Sequence, residues 1–78
     1  MIIRTSYELS IDGKRVAEWT QNRTDPPKMF VKIPRAVFAT AELAGYSVRA
    51  TVISCDKVNG QYVVRLKATR LNFGRAVK

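Results

Sequence analysis

Two tight-turn dipeptides, Asp12-Gly13 and Asn59-Gly60, each lie between runs of alternating apolar and polar residues. Together these signals commit most of the chain to antiparallel hairpins. In the first run Ile3, Thr5, Tyr7, Leu9 and Ile11 alternate with Arg4, Ser6, Glu8 and Ser10, and the chain returns over 14–21. A two-residue loop sets Tyr7 opposite Glu18, whereas a three-residue loop of Ile11, Asp12 and Gly13 sets Tyr7 opposite Ala17 and Thr5 opposite Trp19. The second keeps one face more apolar, leaves Val16 outside, and is the register expected. In the last third, Tyr46, Val48, Ala50 and Val52 share one face, and Tyr62, Val64, Leu66 and Ala68 share the matching one. A two-residue Asn-Gly loop puts Val52 beside Lys67. A three-residue loop of Val58, Asn59 and Gly60 pairs Val52 with Leu66 and Ala50 with Ala68. The latter matches apolar with apolar and gathers Arg49, Arg65 and Lys67 on the opposite face, so this register is expected.

Between the hairpins, 21–28 (QNRTDPPK) is polar, has two prolines and lacks periodicity, so it reads as a loop. Met29, Val31 and Ile33 then alternate with Phe30 and Lys32 in a short strand that Pro34 ends. The alanine-rich stretch 35–44 predicts a short helix, with Val37, Ala41 and Ala44 on one stripe and Gly45 as its stop. The order β-β-β-α-β-β makes a mainly β chain with one short helix, expected as a single domain over 1–78 with a basic tail at 72–78. That order resembles the OB-fold, a small barrel that often takes oligonucleotides. A small α+β dimer of swapped hairpins is the alternative.

Size and charge narrow the function. A chain of 78 residues buries only about 60% of the surface its unfolded form exposes, so its core is marginal and association helps. The single cysteine, Cys55, excludes an intrachain disulfide, and with no histidine a zinc ligand set is missing. No cofactor is expected, and a homodimer is. The lone thiol, the lack of an apolar leader and the lack of any run of about 20 apolar residues point to a cytoplasmic protein without a membrane partner. Net charge is +8 at a pI near 10.3, and its distribution is uneven. Residues 1–56 carry eight Lys/Arg against six Asp/Glu, whereas 57–78 carry six Lys/Arg and no acid. Such an asymmetry is the electrostatic footprint of a polyanion partner.

Catalysis lacks equipment. There is no histidine base, and Asp56 beside Cys55 disfavours a thiolate. The six acids show no spacing that forces a metal site, so no enzyme is expected. The binding candidates are Arg49, Arg65, Lys67, Arg70 and Arg75 for phosphates, with a solvated strand face as the bland reading of the basic set, and Phe73, which reads either as an exposed ring for base stacking or as a tail anchor packed on the barrel or a partner. Glu8 and Glu18 stand where they can pair with some of these cations. Tyr46 and Tyr62 fall on the core face, and Trp19 fits either the core or a groove.

The stretch 30–71, through VKI, AGYSV and NGQYVVRLKATRL, is similar to the C-terminal half of filamentous-phage single-stranded-DNA-binding proteins, over about half of the chain. The N-terminal half does not match. FVKIPRAVF resembles the strand-then-proline entry of swapped-hairpin transcription factors of the AbrB type, with different loop spacing after it. The expected function is therefore non-catalytic binding of nucleic acid, single-stranded rather than duplex, through the C-terminal hairpin. The alternative is a small interaction module or inhibitor that takes an acidic protein surface. A duplex-binding dimeric regulator is third, because the helix carries only Arg35 and Glu42 as charges.

Overall fold

A computed structural model describes residues 2–71. It contains β1 (Ile3–Ile11), β2 (Lys14–Arg23), β3 (Phe30–Lys32), α1 (Arg35–Thr40), β4 (Arg49–Val58) and β5 (Gln61–Lys67). The five strands form one mixed sheet in the order β2-β1-β5-β4-β3. The sheet curls into a half-barrel consistent with a small OB-like barrel, so the fold is mainly β with one short helix as expected. The two hairpins meet through a parallel pairing of β1 with β5, in which Tyr7 lies beside Val64 and Leu9 beside Leu66. Strand alternation turns Tyr7, Leu9, Val31, Ala50, Val64 and Leu66 to the inner face, where Ile33 and Leu43 complete the buried cluster. Tyr46 and Tyr62 pack against that cluster, as the pattern implies. Trp19 belongs to the core side too, its ring stacked on Tyr7 with centroids 5.1 Å apart.

Both hairpins use one device. Asp12 and Gly13, like Asn59 and Gly60, have left-handed φ (52° and 80°; 52° and 77°). That is the signature of the two-residue turn that matches strand twist, and it is why glycine occupies the second position. Each hairpin then takes in one extra residue as a bulge. In the first, Ser10 faces Arg15 but Leu9 faces Ala17, so Val16 is extruded, and Tyr7 comes opposite Trp19. This corrects the expected Tyr7–Ala17 and Thr5–Trp19 pairs. In the second, Ser54 faces Arg65 but Val52 faces Leu66, so Ile53 is extruded. The Val52–Leu66 pair is the one expected, but it is reached through a two-residue turn plus a bulge rather than a three-residue loop. Val16 and Ile53 are 37% and 58% exposed, as residues outside both faces' packing should be.

The helix is shorter than its alanines suggest. It ends at Thr40, and Glu42 takes a left-handed φ of 55°. The Leu43 amide donates to the Phe38 carbonyl (3.3 Å) and the Glu42 amide to that of Ala39 (3.1 Å), which is a Schellman closure. The reason is Leu43. On a helix continued to residue 44 it would point away from the Val37 stripe, whereas the early stop drives it into the core, where it is 1% exposed. Burying a leucine is worth about 1.5–3 kcal/mol, more than one further turn of an exposed short helix. Gly45 (φ 91°) serves the next turn, where the Tyr46 amide donates to Leu43 at 2.9 Å. Accordingly β4 begins at Arg49, later than the alternation from Tyr46 suggested, and Val48 is solvent-facing.

Candidate nucleic-acid interface

The outer, convex face of the sheet carries the charges. Arg49, Arg65 and Lys67 all point to it, as expected, because each neighbours a residue that is buried or paired inward. The sheet order divides them into unlike surroundings. Lys67 lies between Thr51 on β4 and Ser10 on β1, and Phe30 on β3 lies across from Thr51. One step along, Arg49 faces Lys32 directly across β3 and β4. Opposed side chains in a sheet stand about 4.5–5.5 Å apart at Cβ, so this is a like-charge pair that weakens the sheet unless an anion meets it. Among the described residues, Lys32, Arg49 and Lys67 make no ion pair.

Arg65 is placed otherwise. Its Nε lies 3.8 Å from Glu8, while Arg15 lies 4.0 Å from Glu8 and 3.7 Å from Glu18. Two cations and two carboxylates close this group without net charge. The acids foreseen as partners within the chain thus pair with Arg65 and Arg15, and with Glu8 facing Glu18 across β1 and β2 that half of the face carries no excess positive charge from this group. Exposure keeps each pair weak, but the local potential is set by all four charges.

Arg70 is reached through a bridge between Tyr46 and Arg70 that lies beyond β5. Its guanidinium sits over the Tyr46 ring, 4.9 Å from the centroid, and donates to the Tyr46 hydroxyl at 2.9 Å. This holds Arg70 in place and leaves other guanidinium donors for a ligand. Arg70 and Lys67 line one open groove of about 450 Å³, together with Ser10, Tyr46, the extruded Ile53 and one acid, Asp12, at the turn of the first hairpin. The basic track therefore runs Lys32, Arg49, Lys67, Arg70, with Phe30 at its side. Phe73 and Arg75 lie outside the described residues.

Phe30 and Lys32 were not among the candidates. Phe30 is 50% exposed, and it puts an aromatic face among cations, which is what a stacking platform requires. Their alternation with Val31 and Ile33 gave the outward direction, but the β3–β4 pairing that brings them to Arg49 and Lys67 joins segments well separated in sequence.

Cys55 lies on the inward side opposite Val64. Partial burial first, and the Asp56 carboxylate second, push its thiol above the usual value, with Arg23 pulling the other way. A thiol in that state is a poor nucleophile. Among the described residues no helix is long and apolar enough to cross a membrane. No family model, curated protein or solved structure matches the chain.

Proposed function

We propose that the protein binds single-stranded nucleic acid, without catalysis, on the convex face of β3, β4 and β5. The observation that carries this is the Lys32–Arg49 pair beside Phe30 and Lys67: opposed like charges, no acid among them, and an exposed ring within the same patch. Phosphates relieve the repulsion and a base covers the ring, so one ligand class accounts for both features. A single strand is favoured over duplex because its bases are free to reach Phe30, and because among the described residues no helix of groove-reading length lies on this face. The C-terminal hairpin remains the centre of the site through Arg49, Lys67 and Arg70. Arg65 is an ion-paired bystander in this reading.

The test is a titration of labelled oligonucleotide, single-stranded and duplex, across salt. With four phosphates met, log affinity is expected to fall against log salt with a slope of about −2.8 for single strands. Phe30→Ala is expected to weaken binding by about 1–3 kcal/mol without lowering the melting temperature, since the ring is half exposed. Absence of binding to either form at about 50 mM salt overturns the proposal.

We also propose that the chain acts as a homodimer in the cytoplasm. Its small core favours association, and β2 offers a ten-residue sheet edge without proline. Sedimentation at high concentration that returns a particle of 8.8 kDa rules the dimer out.

A further inference from the structure

A second feature adjoins the basic track and is of another chemical kind. Ile33, Phe38 and Val48 line an open cleft of about 360 Å³ where β3 passes into α1, and Lys32 and Arg35 stand at its rim. Val48 is 48% exposed, although it sits in a sheet region where a polar residue would serve as well in water. Its carbonyl is already used, since it accepts from the Ile33 amide at 2.7 Å. The walls therefore offer apolar surface and no spare side-chain donor or acceptor below the rim. Arg49 follows Val48 in sequence and adds a third cation nearby, and no acid lines the cleft.

We propose that this cleft is the docking site of an acidic peptide segment from a partner protein, which seats one apolar side chain between Phe38 and Val48, above the buried Ile33, while its carboxylates meet Lys32 and Arg35. Charge complementarity chooses the peptide's sign, and the apolar walls choose its anchor. A nucleobase fits less well, because its polar edge would be buried without partners, at a loss that a fully apolar side chain does not incur. The base belongs on Phe30, where its edges stay in water. Lys32 faces both ligands, so the peptide and the nucleic acid exclude each other, and an acidic partner would release the bound strand. That regulatory step rests on the nucleic-acid reading; the cleft itself does not.

The experiment uses the full chain and two synthetic probes, an aspartate-rich peptide with one central phenylalanine and the same peptide with alanine there. Fluorescence anisotropy is expected to show the phenylalanine peptide binding about tenfold or more tightly than its alanine counterpart. Val48→Ser is expected to remove most of that difference and leave oligonucleotide affinity unchanged, and Arg35→Gln to weaken both peptides. The phenylalanine peptide is expected to displace bound oligonucleotide from the unmodified protein. Equal binding of the two peptides, or indifference of the phenylalanine peptide to Val48→Ser, overturns the cleft. Loss of oligonucleotide affinity in Val48→Ser to the same extent as peptide affinity also overturns it, because the cleft then takes a base. If the oligonucleotide never binds while the peptides follow the expected order, the nucleic-acid reading falls and the docking site stands.

Discussion

Leu66→Ala is expected to lower the unfolding free energy by about 2–5 kcal/mol, which is a large part of what a domain this size possesses. Leu66 is fully buried. It lies beside Leu9 in the parallel pair and opposite Val52 in the antiparallel one, so it touches the seam that joins the two hairpins. A cavity there loosens both halves of the sheet at once, and neither neighbour can collapse into it without disturbing its own strand. Thermal or denaturant unfolding of the variant checks this, and an unchanged midpoint would place Leu66 on the solvent side. Leu71→Ala is the control, since Leu71 is exposed.

The second large effect belongs to the basic track. Replacing Lys32, Arg49 and Lys67 together by glutamine is expected to weaken single-strand binding on the order of a hundredfold at about 50 mM salt and to make the salt slope shallower by about 2. The same variant should melt no lower than the parent, and slightly higher, because Lys32 and Arg49 repel each other across β3 and β4 in the free protein. Opposite movements of affinity and stability separate a binding face from a merely solvated one. Glu8→Gln provides the converse, since it frees Arg65 and is expected to steepen the slope by about 0.7, one phosphate more. Glu42→Gln removes the same charge away from this face and should leave the slope alone. If Glu42→Gln and Glu8→Gln behave alike, net charge alone governs binding and the division of the face is without effect.

The alternation of side chains made the strands and their inward residues legible, because burial on one face imposes a period of two that survives in any register. What it cannot distinguish is where an extra residue is absorbed. In the second hairpin a longer loop and a bulge at Ile53 shift the far end by the same single residue, so Val52 and Leu66 come out paired either way. In the first hairpin the two options differ, because a loop enlarged by Ile11 adds the residue to β1 and the bulge at Val16 adds it to β2. The one signal that separates them is aromatic. Only the bulged register sets Tyr7 against Trp19, and cross-strand ring pairs of this kind contribute beyond their buried area. The helix was overextended for a related reason, since alanine propensity is small beside the burial of Leu43. On the convex face, Arg49 and Lys67 were legible from the hairpin. Lys32 and Phe30 were not, because a three-residue strand carries too little pattern to name its partner. The pairing of Arg65 with Glu8 needed the β1–β5 adjacency, which no local motif announces.

That parallel adjacency also governs the order in which the molecule can assemble. Thr5 meets Tyr62 across it, so the first strand's neighbour on one side is made from nearly the last part of the sheet to leave the ribosome. Until then the first hairpin is a two-stranded ribbon with Tyr7, Leu9 and Trp19 bare on one face, and isolated ribbons of that kind are marginal in water. A long loop has to close before any of that surface is covered, which slows folding relative to a meander of the same length. During synthesis the nascent chain therefore carries an apolar, unpaired sheet edge until β5 has been made. Chaperone demand, and any tendency to aggregate, should be set by how quickly the second hairpin arrives rather than by the stability of the finished protein.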